Sequence, residues 1–384
     1  MTDDAVTPPA AGSSRPRARG LGVPFDGTPG PLNAITDVPG LELGATTLIQ
    51  GDGPLRVGEG PVRTGVTAIL PRGHEGVGRA CAAGWYSLNG NGEMTGTTWI
   101  EESGALTMPV LITNTHAVGP VHAGAVEWVI ARHPVVARQW LLPVVAETWD
   151  GYLNDINGGH VTPEHARAAL DGARSGPVAE GATGGGTGMT CYAFKGGSGT
   201  ASRQVAFADD VHTVAVFVQA NFGSRRDLRI AGCPVGRLLA ADNPQESEEW
   251  FVPMGAGSVI AIVATDAPLL PGQCKALARR VPLGLARTGT NGSHFSGDIF
   301  LAFSTANDDA LTSRLGPVDA PAYASLRFIP WGLIDPYYDA VVQATEEAVV
   351  NALVGAETMV GIDGHRSPAL PHAALAALIA VGAG

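Results

Sequence analysis

At Gly257-Ser258 a serine takes the first position of an apolar, β-branched run, Val259-Ile260-Ala261-Ile262-Val263-Ala264-Thr265, directly after the loop Pro253-Met254-Gly255-Ala256. This is the layout of a self-processing N-terminal nucleophile. The hydroxyl attacks the Gly257 carbonyl, the amide becomes an ester, and water releases Ser258 with a free α-amine. Such an amine titrates at about pH 7.7–8, which suits a general base near neutrality. A glycine before the scissile bond admits backbone geometries that a Cβ excludes, and strain at that bond drives the shift. The dipeptide alone describes a turn entering a buried strand equally well. Gly-Ser recurs at Gly12-Ser13, Gly197-Ser198, Gly223-Ser224 and Gly292-Ser293.

Glu147 lies between the apolar run Val144 to Ala146 and the turn Trp149-Asp150-Gly151. A carboxylate there can read a substrate amine through a charge-assisted hydrogen bond; a solvated or capping glutamate is the plainer reading. Glu93, Glu101 and Glu102 are weaker candidates for the same task. The ten histidines form no HExxH and no paired metal spacing, so neither a metal nor any cofactor is expected. Gly181 to Gly199 is glycine-dense but lacks Gly-Lys-Ser/Thr and any Gly-x-Gly-x-x-Gly opening a helix. It reads as a tight loop where backbones approach closely, with no nucleotide.

The elements that must position these residues are mostly strands. Val66 to Leu70, Val110 to Thr113, Val144 to Ala146, Val214 to Val218, Ser258 to Ala264 and Ile299 to Ser304 read as short buried strands. Helices are predicted at Ala123 to Ala131, Thr162 to Gly172, Gly272 to Arg280 and Asp335 to about Leu353. Another is expected near Pro371 to Val381, too apolar to be exposed. Thr162 is a good N-cap, with Pro163 at the first helical position. Strands in two layers with helices outside make an α+β fold, a four-layer αββα sandwich.

Several stretches then resemble, in order, a known family. They are Arg19 to Phe25, Asn33 to Gly40, Leu88 to Trp99, Thr113 to His116, Glu147 to Gly151 and Asn154 to Gly158. Further on come Gly184 to Met189, Gln219 to Gly223, Ala264 to Pro271, Ser296 to Phe300 and Gln343 to Ala348. They resemble the serine aminopeptidases that include L-aminopeptidase/D-amidase-esterases and β-peptidyl aminopeptidases. The resemblance implies the same sandwich, with Ser258 at the start of a central strand after cleavage between Gly257 and Ser258. Residues 19–257 and 258–384 then form two parts of one hydrolase domain, and residues 1–18 a loose tail. Ala240 to Glu249, with Glu246, Glu248 and Glu249, reads as the exposed linker before the cut.

The resemblance also assigns roles. Ser296 and Asp298 fall where the family has the partners of the nucleophile, as a short relay in which Ser296 bonds Ser258 and the carboxylate orients Ser296. Some members have Glu where this chain has Asp298. Without the family, Ser296-Gly297-Asp298 is a turn before a strand. Asn221 matches the amide donor of an oxyanion hole; the bland reading is an Asn closing a strand end. Trp149 stands where some relatives place a tyrosine hydroxyl as the other donor. That leaves the second donor between Trp149 and Tyr152, with Trp149 otherwise a wall of the pocket.

The activity implied is release of N-terminal residues from small peptides, amino-acid amides or esters through an acyl-enzyme on Ser258. An acyltransferase of the ornithine acetyltransferase type is the alternative; those relatives usually carry threonine as nucleophile. An uncleaved binding scaffold on the same fold is a third reading. A formal net charge of −12 and only two lysines, Lys195 and Lys275, argue against a nucleic-acid partner. No apolar stretch reaches the roughly 18 residues that span a bilayer. Cys81, Cys191, Cys233 and Cys274 read as reduced, buried thiols, which points to the cytoplasm. Arg225, Arg226 and Arg229 around Asp227 look like a local ion-pair group. The resemblance further implies a homo-oligomer of processed α/β pairs.

Overall fold

The computed structural model of the chain describes residues 16–247, 257–308, 310–313 and 323–382. The loop Pro253 to Ala256, the linker acids Glu248 and Glu249, and the tail through residue 15 lie outside the described residues. Among the described residues, ten strands build the two main sheets. They are β1 (Glu42–Gln50), β2 (Val62–Leu70), β3 (Cys81–Ser87), β4 (Ala105–Leu106), β5 (Val110–Asn114), β6 (Val144–Thr148), β7 (Gly197–Phe207), β8 (Asp210–Asn221), β9 (Gly257–Thr265) and β10 (Ser296–Ser304). The four-stranded sheet has the order β1-β2-β5-β6, and the six-stranded sheet β4-β3-β10-β9-β8-β7. β9 and β10 pair in parallel at the centre of the larger sheet, with β8 and β3 antiparallel on either side.

Among the described residues, seven helices of seven residues or more accompany them: α1 (Thr97–Ser103), α2 (Val118–Arg132), α3 (Pro163–Asp171), α4 (Pro271–Ala278), α5 (Val281–Arg287), α6 (Asp335–Gly355) and α7 (His372–Gly382). The packing clusters define four layers. Ile69, Ile112 and Val144 of the smaller sheet meet Phe217, Ile260, Ile262 and Leu301 of the larger one. Outside the smaller sheet, Val66, Leu111 and Val145 pack on Val121, Trp128 and Leu170 of α2 and α3. Outside the larger sheet, Val216, Val259, Val263 and Phe300 pack on Leu277, Leu285, Val341 and Leu353 of α4, α5 and α6. The αββα sandwich expected from the sequence is the fold found.

β9 explains its own place. Its residues alternate between two apolar environments, Val259, Ala261 and Val263 on the helix side and Ile260, Ile262 and Ala264 on the sheet side. A strand apolar on both faces belongs in a sheet covered on both faces. Each such valine or isoleucine contributes about 1.5–3 kcal/mol by burial. Thr162 precedes α3 in extended conformation, and its N–H donates to His165 Nδ1 at 3.0 Å.

Three expectations differ. α7 is apolar throughout yet covered on one side only: Leu375 is buried while Val381 is 83% exposed. Arg225 is no surface ion pair; it is buried, and the carbonyls of Tyr192, Ala193, Leu239 and Asp242 accept its N–H groups. Its guanidinium also lies over the Phe194 ring, 3.3 Å from the centroid. Burial pulls its pKa down to about 10. Arg17 and Ala18, inside the expected tail, are held by Glu180 and Asn351. No helix among the described residues is long and apolar enough to cross a membrane.

Candidate active site

Ser258 is the second residue of β9. The register sets it directly opposite Asn221 on antiparallel β8 and opposite Gly297 on parallel β10. Directly paired residues share a face of the sheet. Ser258 is 2% exposed, and its Oγ has no hydrogen-bond partner among the described residues. A buried hydroxyl without a partner carries a desolvation cost that a reacting group or a bound substrate atom can relieve.

Ser296 and Asp298 flank Gly297 on β10. The Ser296 hydroxyl donates to Asp298 Oδ1 at 2.5 Å. Asn89 holds the same aspartate twice: its Nδ2 donates to Asp298 Oδ2 at 3.0 Å, and its Oδ1 accepts the Asp298 N–H at 2.6 Å. Burial raises the Asp298 pKa, and bonds from Ser296, Asn89 and the Val259 N–H pull it part of the way back. With Ser258 aligned to Gly297, Ser296 and Asp298 occupy the alternate positions, which belong to the other face of the sheet. The expected hydroxyl-to-hydroxyl bond between Ser296 and Ser258 is therefore not formed while the chain runs unbroken through Gly257.

The segment after β3 links this pair to Glu147. Leu88 N–H donates to the Asp298 carbonyl and Asn91 N–H to the Ser296 carbonyl. A Cβ on Gly297 would lie 2.4 Å from the Asn91 oxygen and 2.7 Å from Gly92 Cα, so the two backbones touch and only glycine fits. Glu147, near the end of β6, is 2% exposed. Its Oε1 accepts the Glu93 N–H at 2.9 Å, and its Oε2 accepts the Thr115 hydroxyl. Burial raises its pKa; the Thr115 and Glu93 N–H bonds and His116 lower it, and the Glu93 charge adds to the rise.

Asn221 closes the opposite side. Its Nδ2 donates to the Trp149 carbonyl at 2.8 Å, and its Oδ1 accepts the Thr190 N–H at 2.8 Å. A carboxamide has two N–H donors, so one remains for a substrate oxygen. The Trp149 indole is half-buried and packs on Gly151, where a Cβ would lie 2.3 Å from the ring. Tyr152 is turned to a different segment: its hydroxyl faces the Arg366 carbonyl at 3.4 Å and its ring stacks on His365. Asn89, Thr115 and Thr190 escaped the sequence reading. Asn89 and Thr115 lie within quoted motifs, but nothing in their spacing points to a carboxylate partner.

Among the described residues no three His, Cys, Asp or Glu side chains stand together as a metal site. The four cysteines are free, three of them buried, and burial raises the Cys81 pKa to about 11.

The profile of peptidase family S58 matches residues 33–367. The β-peptidyl aminopeptidase BapA of Sphingosinicella microcystinivorans is 51% identical over 379 residues, covering 96% of this chain and 93% of the relative. The solved L-aminopeptidase D-Ala-esterase/amidase of Ochrobactrum anthropi, described as a prototype of the serine aminopeptidases and a variant of the Ntn hydrolase fold, is 45% identical. It superposes with a TM-score of 0.88 over 96% of this chain and 99% of its own. A Burkholderia sp. β-aminopeptidase is similar, with a TM-score of 0.84 and 44% identity over 95% of this chain and 98% of its own. The acyltransferase alternative finds no support among these relatives.

Proposed function

The chain belongs to peptidase family S58, and from that premise we propose that Ser258 is the nucleophile of this serine aminopeptidase, exposed by its own cleavage of the Gly257–Ser258 bond. The observation that carries the reading is the unpartnered, buried Ser258 hydroxyl at the head of a central strand, directly opposite Asn221. In the first reaction Ser258 Oγ adds to the Gly257 carbonyl, the C–N bond breaks, and the ester is hydrolysed. Ser258 then carries a free amine, and the two parts are residues up to 257 and from 258 onward.

In turnover that amine accepts the Ser258 hydroxyl proton as Oγ adds to the substrate carbonyl. The same proton leaves with the departing amine, and water hydrolyses the acyl-enzyme. The free N–H of Asn221 stabilises the oxyanion. Ser296, oriented by Asp298, serves the new α-amine, since Ser296 pairs with Gly257 across the parallel strands β10 and β9. Trp149 supplies a carbonyl to orient Asn221 and an indole to wall the cleft; a second oxyanion donor is assigned to neither Trp149 nor Tyr152. Glu147 holds the substrate ammonium.

The substrates proposed are short peptides and amino-acid amides with a free N-terminal amine, with β-amino residues the first class to assay, since the BapA relative is a β-peptidyl aminopeptidase. Free cysteines fit a reducing, cytoplasmic setting, and the working unit is proposed as a homo-oligomer of processed pairs. The test of the central claim is Ser258→Ala. It should purify as one uncut chain without aminopeptidase activity; retained turnover in that variant would refute the assignment.

A further inference from the structure

Lys195, one of two lysines in the chain, is fully buried. Its Nζ donates to the carbonyls of Met189 at 2.7 Å, Gly196 at 3.0 Å and Gly186 at 3.4 Å. All three belong to the glycine-dense loop, and no step proposed above uses this amine. A buried amine is costly unless every donor is matched and an opposite charge is near. Burial pulls the pKa of this amine down to about 7, and the acids Cys191 and Asp150 offset only part of that. Asp150 is also fully buried, with Oδ1 held by Asn154 and Oδ2 unpartnered among the described residues.

The placement of these two groups relative to Asn221 is the informative part. In the small hairpin that joins Thr190–Cys191 to Phe194–Lys195, Lys195 stands directly opposite Thr190. Thr190 gives the N–H that holds Asn221 Oδ1. Met189, whose carbonyl accepts Lys195, precedes Thr190 in the chain, and its sulfur accepts the Thr148 hydroxyl. On the other side, Asp150 follows Trp149, whose carbonyl holds Asn221 Nδ2. The loop passes close to that aspartate, since a Cβ on Gly188 would lie 2.9 Å from Asp150 Cβ. The two backbone groups that grip the Asn221 amide thus come from two segments, one neighbouring the buried Lys195 and the other the buried Asp150.

We propose that Lys195 is a positioning residue: its buried amine, bonded to the Met189 carbonyl and paired across the hairpin with Thr190, fixes the Thr190 N–H and so aims the remaining Asn221 N–H at the oxygen that becomes negative during acyl transfer. The inference rests on the reading of Asn221 as oxyanion donor. It predicts a coupling that a general stabilising role would not produce. Oxyanion donors act on the transition state, so the loss belongs in kcat and not in KM.

The experiment is a double-mutant cycle on the purified full-length enzyme, with an aminoacyl p-nitroanilide as substrate. Asn221→Ala alone should lower kcat by about 100-fold. Lys195→Met alone should lower kcat by about 10-fold with KM little changed. In the Asn221→Ala background, Lys195→Met should cost less than about 3-fold, because the group it aims is gone. For any variant that accumulates uncut, the rate of self-cleavage by intact mass replaces kcat. If Lys195→Met does not fold, Lys195→Gln removes the charge and retains two donors, and the same criteria apply. An Asn221→Ala enzyme with wild-type kcat would overturn the donor reading and this inference with it. A slowed Asn221→Ala enzyme that loses the full Lys195→Met factor again would overturn the Lys195 inference alone.

Discussion

The Ser296 hydroxyl donates to Asp298 Oδ1 at 2.5 Å, while the hydroxyl of Ser258, one strand away, has no partner among the described residues. The bond lowers the Asp298 pKa against the larger upward effect of burial. Removing it in Ser296→Ala should raise that pKa further. If turnover needs the carboxylate ionised, activity is lost as pH falls through this value. The acid limb of kcat/KM against pH should therefore move to higher pH in Ser296→Ala. An unmoved limb, with activity merely scaled down, would separate Asp298 from the titration.

Self-cleavage should yield fragments of about 26 and 13 kDa, from the 39.3 kDa chain divided in proportion to length. They should remain associated. β9 and β10 come from the smaller fragment yet occupy the middle of the six-stranded sheet, hydrogen-bonded on both sides to β8 and β3 of the larger one. Intact mass under denaturing conditions should show two species, and native gel filtration one. Separation of the fragments without denaturant would contradict the sheet topology.

What the sequence revealed was what is local. β-branched runs such as Val214 to Val218 and Ser258 to Ala264 carry their burial in their composition, and both lie in the found strands β8 and β9. β7 was missed because it opens Gly-Ser-Gly-Thr, which reads as loop. It is a strand because α6 packs against it so closely that a Cβ on Gly199 would lie 2.1 Å from the Ala348 oxygen. β3, with its Cys-Ala-Ala-Gly start, is hidden for a similar reason: α4 backbone would meet a Cβ on Gly84 at 2.4 Å. The site divides in the same way. Ser258, Ser296 and Glu147 stand in recognisable motifs. Asn89 on Asp298 and Thr190 on Asn221 are contacts between segments far apart in the chain, and no spacing encodes them.

Asp150 should make stability fall with rising pH over a definite window. Burial raises its pKa from 3.8 to about 7, with Thr64, Asn154 and Asn114 offsetting only part. Between these values the unfolded chain has released the proton and the folded chain retains it. The folded state then binds more protons, so unfolding becomes easier as pH rises from about 4 to 7. Asn cannot titrate. The stability of wild type relative to Asp150→Asn should therefore decline across that range in urea unfolding. A rise with pH would mean that Asp150 is ionised in the fold, paired to Lys195.

Activity should require a free amine on the released residue. Both oxygens of Glu147 already accept one hydrogen bond, from Glu93 N–H and the Thr115 hydroxyl, which aims the carboxylate without neutralising it. An ammonium completes its coordination; an N-acetyl group cannot, and leaves a buried charge without compensation at a few kcal/mol. The rate on an N-acetylated aminoacyl p-nitroanilide should drop by about 100-fold or more, at about 1.4 kcal/mol per tenfold. Glu147→Gln should lose rate on the free-amine substrate and discriminate less between the two. Because burial raises the Glu147 pKa, amine binding should weaken as pH falls while still above the ordinary carboxylate range, so KM should rise there. In Glu147→Gln that rise should vanish. Equal rates on blocked and free substrates would remove the amine site altogether. Discrimination that survives Glu147→Gln unchanged would move it to another carboxylate, with Glu93, one backbone bond away, the first to replace.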